Sequence, residues 1–411
     1  MRIWILTVGE PLPVDGSNER LFRSGLLAQE LARRGHDVTF WSSAFDHVRK
    51  QWRTGQTETR KIHDPAPYEL VLLKGTGYRR NISLARMRDH RAVAREFARL
   101  WPSLPRPDVI LCSIPIVELA TEALKVGCPV ALDCRDMWPD IFADAGPSIA
   151  RPAIKRLLSP LARETTAAFR KADAVLGHTA PFVDWGLQYA GRAKTKWDRD
   201  FPFGYTSQEP DAQQLEAAKA FWDVLGVGTD PHRKVLCFFG AISHQFEFDE
   251  LVMALRTLSP ERRRSVQMVL CGDGENRAGL AAAAADLADG SLVVPGWVDR
   301  AAIWELMRRS SMGLAPYQDE PMYHSSIPNK VIEYFSAGLP VAWRLSTGLV
   351  ADMVAQTGCG MVYGTAQRLL STEFVDGPAA RQAAAALFDH RFKADIVYPA
   401  FADHLEALAK K

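Results

Sequence analysis

Several features that mark whole classes of protein are absent from this sequence. No apolar run reaches the roughly 18–20 residues of a membrane-spanning helix, and the N-terminal apolar run is too short for a signal peptide. The six cysteines are scattered without CxxC spacing, which is typical of small buried side chains in a reducing compartment. No cluster of His, Cys and Asp has metal-ligand spacing, so no metal is predicted. We therefore expect a cytoplasmic protein.

An excess of charge of one sign is also missing, because 50 lysines and arginines stand against 48 aspartates and glutamates and leave a net charge of +2. This near balance argues against a dedicated nucleic-acid binder. It hides an asymmetry, since residues 1–200 carry 31 basic and 23 acidic side chains, whereas residues 201–411 carry 19 and 25. The two halves are expected to have different electrostatic surfaces and different partners.

The 411 residues are enough for two domains. Short apolar strand patterns alternate with helical patterns, which predicts an α/β fold with parallel sheets. One series of strands ends near residue 177, and a second begins at residue 234. We expect two doubly wound Rossmann-like domains, 1–205 and 206–390, and a last helical segment, 391–411, that crosses back to the first.

In doubly wound sheets, ligands bind outside the carboxyl ends of the strands, so chemistry is expected in the loops that follow them. The loop after the first predicted strand contains Gly9, Gly16 and Ser17 just before a helix, a setting that suits an anion. The segment CGDGENR (271–277) also follows a strand, but it lacks the third glycine of the dinucleotide fingerprint. Both segments are also compatible with ordinary turns.

The segment DCRDMWPD (133–140) places four ionisable side chains around Trp138 directly after a predicted strand. An ion-paired loop would have the same composition, but so many such groups at a strand end favour a functional site. Arg135 and Asp136 are its catalytic candidates. His244 follows another predicted strand and is a candidate contact for a phosphate or for the transferred group.

The densest segment is YHSSIPNKVIEYFSAGLPV (323–341). Pro328 stands where a helix would begin. Backbone amides around Ser326, Ile327 and Asn329 would then direct the positive end of the helix dipole at an anion.

Two charged side chains follow on the same predicted helix. Lys330 would add a positive charge for a phosphate, and Glu333, one turn further on, would accept hydrogen bonds from the vicinal hydroxyls of a ribose. A helix with one lysine and one glutamate is usually only solvated. The clustering of Pro, Asn, Lys and Glu before a tight join to the next strand favours a nucleotide site.

These segments, in this order, resemble the retaining, nucleotide-sugar-dependent glycosyltransferases of family four, which have the GT-B fold of two doubly wound domains facing across a cleft. The resemblance covers almost the whole chain, and its most specific part is PNKVIEYFSAGLPVA (328–342). Together with RDMWP (135–139), that part resembles the branch that builds bacterial surface polysaccharides such as O-antigen and capsule. The resemblance implies transfer of an N-acetylated amino sugar from a UDP-sugar, or alternatively a GDP-sugar, with no additional cofactor.

The resemblance also implies roles for individual residues. Glu333 matches the glutamate that holds the donor ribose, and Lys330 belongs to a Pro-Asn-Lys signature of the branch. Gly16 and Ser17 match a loop that faces the diphosphate. The resemblance places the backbone amides of Ser326, Ile327 and Asn329 at the diphosphate. It places four further residues near the base: Gly272, Gly274, Trp297 and Val298.

The sequence departs from the family pattern at four places, one of which is the segment SIPI (113–116), where many relatives carry a histidine. Ser325 stands where a sugar-contacting glutamate is usual, and Ala241 and Phe246 stand where relatives carry an arginine and a lysine for phosphate. Because those two cations are missing, the other candidate phosphate contacts become more important: Lys330, His244 and Arg344. In such enzymes the leaving diphosphate helps to deprotonate the acceptor, so the protein mainly positions substrates and stabilises developing charge.

Residues 74–106 carry nine basic and two acidic side chains interleaved with apolar ones. A basic amphipathic helix can lie on an anionic membrane, although a solvated helix with its apolar side in the core has the same pattern. We expect the first domain to bind a lipid-linked or oligosaccharide acceptor at the inner face of the membrane, and the second to bind the nucleotide-sugar. Two other functions stay open: a GT-B-fold nucleotide-sugar epimerase, and a degenerate, non-catalytic nucleotide-sugar-binding protein.

Overall fold

The computed structural model describes residues 1–16, 20–144, 150–207 and 209–411. The chain divides into two compact units. Unit 1 comprises Met1–Gly204 and Ala394–Lys411, and unit 2 comprises Tyr205–Lys393.

Among its described residues, unit 1 contains an eight-stranded sheet and a short antiparallel hairpin. The strands are β1 (Arg2–Leu6), β2 (Asp37–Ser43), β3 (Phe45–Asp46), β4 (Gln51–Trp52), β5 (Glu58–Ile62), β6 (Tyr68–Leu73), β7 (Val109–Ile114), β8 (Val130–Cys134), β9 (Ala174–Gly177) and β10 (Arg199–Asp200). The sheet order is β10-β9-β8-β7-β1-β2-β6-β5, and β3 pairs with β4. All neighbouring strands of the sheet are parallel except β5 and β6.

The strands of unit 1 are apolar on both faces because helices cover both sides of the sheet. Ile3 and Ile5 pack into one hydrophobic cluster, and Trp4 and Leu6 pack into the other. This is the burial expected of a parallel sheet, whose strands are near-continuous apolar runs. The helices that follow the strands are α1 (Arg23–Arg33), α2 (Leu84–Leu100), α3 (Val117–Ala123), α4 (Asp140–Asp144), α5 (Arg151–Leu157), α6 (Ser159–Lys171) and α7 (Ala180–Ala190).

Among its described residues, unit 2 contains a six-stranded parallel sheet of order β13-β12-β11-β14-β15-β16. The strands are β11 (Lys234–Phe239), β12 (Val266–Cys271), β13 (Leu292–Gly296), β14 (Met312–Ala315), β15 (Val341–Trp343) and β16 (Gly360–Val362). Its helices are α8 (Ala212–Val224), α9 (Phe248–Thr257), α10 (Pro260–Arg264), α11 (Arg277–Leu287), α12 (Arg300–Arg309), α13 (Pro321–His324), α14 (Asn329–Ser336), α15 (Leu349–Thr357), α16 (Ala366–Ser371) and α17 (Pro378–Leu387).

The last helix, α18 (Ala394–Leu408), belongs to unit 1. Its Phe401 stacks on Phe201 with ring centroids 4.4 Å apart. Arg34, which directly follows α1, donates a hydrogen bond of 2.8 Å to Glu406. The end of the chain therefore completes the hydrophobic cluster on one face of the first sheet.

The predicted fold class is confirmed, because both units are Rossmann-like α/β structures built on parallel sheets. The sequence analysis did not predict the hairpin β3–β4, the edge strand β5 or the two-residue strand β10. Residues 150–171 form two helices, α5 and α6. Among the described residues, no helix is both long and apolar enough to span a bilayer.

Candidate functional site

The loops after β11 and β12 in unit 2 lie against each other through their backbones. The amide of Gly240 donates to the carbonyl of Cys271 at 3.0 Å, and that of Ile242 donates to Asp273 at 2.9 Å. A Cβ on Gly272 would lie 1.8 Å from the carbonyl oxygen of Gly240, and Gly272 has a φ of +133° that few side-chain-bearing residues adopt. The second glycine of the predicted base-binding pair is equally confined, since a Cβ there would lie 2.2 Å from a carbonyl oxygen.

Gly272 and Gly274 are therefore required for the close approach of two loops. The family resemblance implied that they lie near a base, and the structure shows that their immediate contacts are with backbone of the loop after β11. Trp297, directly after β13, is 73% exposed, whereas Val298 is buried. Of these four predicted residues, Trp297 presents the largest accessible apolar surface to a ligand.

Lys330 lies at the carboxyl end of β11. Its ammonium group donates a hydrogen bond to the carbonyl of Phe239 and lies 3.9 Å from the centroid of the Phe238 ring. Burial lowers the pKa of Lys330 to about 8, although the nearby carboxylate of Glu333 acts to raise it. The side chain is therefore held in place before any ligand binds, with a charge that an anion would stabilise.

The helix α14 begins at Asn329, with Pro328 as its extended N-cap residue and no side-chain cap. In any helix the first amides have no acceptor within the helix, and here the first turn carries no acidic side chain. Ser326 and Ile327 are buried directly before the helix. This end of α14 therefore has the backbone polarity that suits an anion.

Glu333 lies one turn into α14 and is partly exposed. One of its carboxylate oxygens accepts a hydrogen bond of 3.2 Å from the hydroxyl of Tyr205. Tyr205 was not identified from the sequence, because it lies 128 residues away in a segment without a motif. Among the predicted donor-site residues, the structure thus brings Asn329, Lys330 and Glu333 onto one helix.

Two other candidate cations of unit 2 are already engaged. The imidazole of His244 is exposed and lies 2.8 Å from the carboxylate of Glu275. Arg344 donates to Glu250 at 3.1 Å and to the carbonyl of Tyr317 at 3.3 Å. These contacts leave Lys330 as the cation with the closest link to the end of β11.

In unit 1, the loop after β1 is fixed by buried charges. Arg53 donates to Asp15 at 2.7 Å, and both side chains are buried. A Cβ on Gly16 would meet nothing within 4 Å, so this glycine is not required by packing. Ser17, predicted to face the diphosphate, lies outside the described residues.

The segment 133–140 starts in a buried ionic network. Asp133 accepts hydrogen bonds of 2.9 Å from Nε and from Nη2 of Arg23, and both side chains are essentially inaccessible. Arg135 is bound by the carboxylate of Glu10. Burial alone would raise the pKa of Asp133, but the two arginines hold it below its usual value. Arg23 was not identified from the sequence, and Arg135 is engaged as part of this network.

A second group of unit 1 surrounds Arg86, on the first turn of α2. Its guanidinium lies 4.5 Å from the centroid of the Trp138 ring and donates to Nε2 of His90 at 3.3 Å. An accepting Nε2 carries no proton, which agrees with a His90 pKa lowered to about 3 by burial. His47 hydrogen-bonds with the hydroxyl of Tyr78, and burial lowers its pKa to about 4.

Asp136 lies near this group, and burial raises the pKa of its carboxyl against the opposing charges of Arg86 and Arg135. His178, after β9, is buried and stacks on Phe203 with centroids 4.7 Å apart. Arg135 and Asp136 thus belong to unit 1, whereas Lys330 and His244 belong to unit 2. Among the described residues, no group of three or more His, Cys, Asp or Glu side chains is arranged to hold a metal ion.

Residues 233–371 match the family model described as Glycosyl transferases group 1. Among solved structures, the chain is similar to HepE of Anabaena in complex with UDP, with 16% identity over 99% of this chain and 100% of that chain and a TM-score of 0.63. It is also similar to the trehalose 6-phosphate synthase of Burkholderia multivorans, with 14% identity, coverage of 100% and 99%, and a TM-score of 0.66. WaaG, a glycosyltransferase involved in lipopolysaccharide biosynthesis, has 14% identity, coverage of 98% and 99%, and a TM-score of 0.63. No curated protein matches the sequence.

These similarities show the GT-B-type fold of two Rossmann-like halves over the whole length of the chain. The matched segment contains β11 to β16, the loops joined at Gly272 and the whole of α14. Together, the matched domain and the fold support glycosyltransferase activity.

Proposed function

We propose that the chain is a retaining glycosyltransferase that moves a sugar, an N-acetylated amino sugar, from a UDP-sugar to a lipid-linked or oligosaccharide acceptor in the synthesis of a cell-surface polysaccharide. The observation that carries the proposal is the arrangement at α14. One helix there offers an uncapped N-terminus, the ammonium of Lys330 and the carboxylate of Glu333 within the matched segment. UDP and UDP-glucose complexes of the similar HepE support UDP as the donor nucleotide.

The proposed division of labour follows the chemistry of this helix. The amides of Asn329 and Lys330 and the Lys330 ammonium would bind the diphosphate and stabilise the charge that develops on it as the sugar leaves. Glu333 would accept hydrogen bonds from the ribose hydroxyls, with Tyr205 fixing its carboxylate. Ser326 and Ile327 would shape the entry to this site, and exposed Trp297 would pack against the base.

A calorimetric titration with UDP tests the donor site. Wild type is expected to bind UDP, and Glu333→Ala is expected to bind it at least about tenfold more weakly, the loss typical of a charge-assisted hydrogen bond. Glu216→Ala is the matched control, because Glu216 is an exposed helical glutamate of the same unit. Undiminished binding by Glu333→Ala would contradict the ribose assignment.

Turnover separates the proposed function from its alternatives. With a UDP-N-acetylhexosamine and lipid-linked acceptors, we expect a product whose new linkage keeps the donor's anomeric configuration, measured by NMR. Conversion of the sugar nucleotide without acceptor would instead identify an epimerase. Nucleotide binding without any turnover across donors and acceptors would identify a binding protein.

The membrane part of the proposal is supported by the surface at the start of α2. Ile82 and Leu84 are 77% and 72% exposed. Exposed arginines follow on the same helix at Arg88, Arg91 and Arg95. Exposed apolar side chains flanked by arginines suit an anionic bilayer, in which the chains insert and the cations pair with headgroups.

Flotation with liposomes tests this surface. Wild type is expected to float with vesicles containing an anionic phospholipid and not with neutral ones, and Arg88→Glu/Arg91→Glu is expected to lose most of that binding. A charge reversal of equal size at Arg256 and Arg262 of unit 2 is the control. Equal binding to anionic and neutral vesicles would contradict membrane docking through this helix.

A further inference from the structure

One carboxylate in the segment 133–140 differs from its neighbours. Asp133 is paired with Arg23, and Asp140 accepts a hydrogen bond of 2.7 Å from the indole of Trp185. Asp136 is partly buried, yet within the described part of the chain its carboxylate makes no hydrogen bond and no ion pair. Burial of a charged group without a donor costs free energy. This cost is offset if a ligand supplies the missing donors.

The side chains around Asp136 offer complementary chemistry. Arg86 uses two of its five N–H donors, one on His90 and one on the carbonyl of Asn81 at 3.1 Å. Its guanidinium lies over the ring of Trp138, which is itself partly exposed. Arg86 is also close enough to Asp136 for their charges to interact, so hydrogen-bond donors, an acceptor and an aromatic surface lie in the same region.

The charge of this region favours a neutral ligand over a phosphate. His47 and His90 have pKa values of about 4 and 3, so both are uncharged at neutral pH. The charge of Arg135 is compensated by Glu10. A phosphate placed on Arg86 would bring further negative charge to an already unpartnered carboxylate, which is unfavourable at short range.

We propose that Asp136, Arg86 and Trp138 form a subsite for a neutral sugar ring of the acceptor. The Asp136 carboxylate accepts a hydrogen bond from one sugar hydroxyl, Arg86 donates to a neighbouring oxygen, and Trp138 packs against the ring. This binding mode uses few, well-placed polar groups beside an aromatic surface. Its assignment to the acceptor and not the donor rests on the proposed function.

Saturation-transfer NMR on the full chain tests the subsite. The probes are the methyl glycosides of glucose, galactose and N-acetylglucosamine, with UDP in the same tube as an internal reference. At least one glycoside is expected to receive saturation from the wild type. Asp136→Asn is expected to bind that glycoside about tenfold more weakly, because an ionic hydrogen-bond acceptor is lost. Arg86→Lys, which keeps the charge but loses the planar fork, is expected to weaken binding as well.

Two readouts separate binding from folding. The melting temperature of Asp136→Asn is expected to equal or exceed that of wild type, because the free carboxylate has no partner to lose. Asp140→Asn, in the same segment, is the control and is expected to retain glycoside binding.

The inference is overturned by equal glycoside binding in Asp136→Asn and wild type, by no saturation of any glycoside, or by displacement of the glycoside with inorganic pyrophosphate. Failure of UDP to bind the wild type would instead count against the proposed donor site. The glycoside result would still test the subsite at Asp136, because it does not depend on UDP binding.

Discussion

The two units fix the loops at the carboxyl ends of their sheets by different means. Unit 1 uses buried ion pairs, Arg23 with Asp133 and Arg53 with Asp15. Unit 2 uses backbone contacts at Gly272 and the buried ammonium group of Lys330, which donates to the carbonyl of Phe239. The members of a buried ion-pair network bind one another, whereas the uncapped N-terminus of α14 leaves backbone amides for an anion. The comparison therefore indicates why the nucleotide is proposed for unit 2 and an uncharged acceptor group for unit 1.

The largest expected effect is on the buried pair of unit 1. Arg23→Met leaves Asp133 charged in the core without its bidentate partner and with only the longer contact to Arg135, which should reduce the free energy of unfolding of unit 1 by about 3–5 kcal/mol. Urea denaturation followed by pulsed hydrogen–deuterium exchange, with the exchange measured on individual peptides, reports the unfolding of unit 1 separately from that of unit 2. Arg256→Met is the control, because Arg256 forms an exposed pair with Asp286, and should cost less than about 1 kcal/mol. Equal effects of the two variants would show that the buried pair is not what stabilises this edge.

The next largest expected effect is that acidification should destabilise unit 1 more than unit 2. His90 and His178 are buried and both have a pKa lowered to about 3, whereas an unfolded histidine has a pKa near 6.5. Below pH 6.5 the unfolded chain binds protons that the folded unit does not bind. Unit 1 should therefore lose about 1.4 kcal/mol of stability per pH unit for each histidine as the pH falls from 6.5 towards 3.

The same denaturation assay, at several equilibration pH values and one fixed labelling pH, checks this expectation. The histidines of unit 2 are exposed or partly exposed, at His232, His244, His324 and His390. Peptides of unit 2 should therefore be less sensitive to acid between pH 6.5 and 5. His178→Asn should make the pH dependence of unit 1 shallower. An acid transition that begins in unit 2 would reverse the comparison.

The loop contact of unit 2 should respond to a single methyl group. Gly272→Ala places a Cβ against the carbonyl of Gly240 and forces a backbone conformation that costs about 1–3 kcal/mol. We expect the two loops to separate and UDP affinity to fall by about tenfold. Gly279→Ala, on α11 with open space around its Cβ, should leave UDP binding unchanged. Unchanged UDP binding by Gly272→Ala would show that the loop contact does not support the nucleotide site.

Much of this architecture follows from the sequence because apolar strands and helix ends leave local patterns. The second series of strands, which begins at β11, was predicted because its Val, Leu and Met runs are largely buried. The edge strand β5, Glu-Thr-Arg-Lys-Ile, was missed because its side chains are partly exposed and polar. Strand formation there depends on antiparallel pairing with β6.

The candidate site was predictable where its residues share one helix. Lys330 and Glu333 have the spacing of neighbouring turns, so a local motif places them together. Arg23 and Tyr205 have no such signal, because their partners, Asp133 and Glu333, lie 110 and 128 residues away in the chain. Only the folded topology brings these partners into contact.

The smallest expected effect concerns how Lys330 titrates. Its pKa of about 8 reflects burial, opposed by Glu333 on the same helix, with the uncharged thiols of Cys237 and Cys271 on the adjacent strands. A bound diphosphate favours the charged ammonium, so binding above pH 8 requires proton uptake. UDP affinity should therefore be nearly constant from pH 7 to pH 8 and fall, by at most about tenfold per pH unit, as the pH rises further.

Calorimetry from pH 7 to pH 9.5, where the UDP phosphates are ionised, measures this profile. Lys330→Met should bind UDP more weakly at pH 7 and lose the alkaline decline, while His244→Gln should keep it. A decline preserved in Lys330→Met would show that another group titrates there and would contradict the contact between Lys330 and the diphosphate.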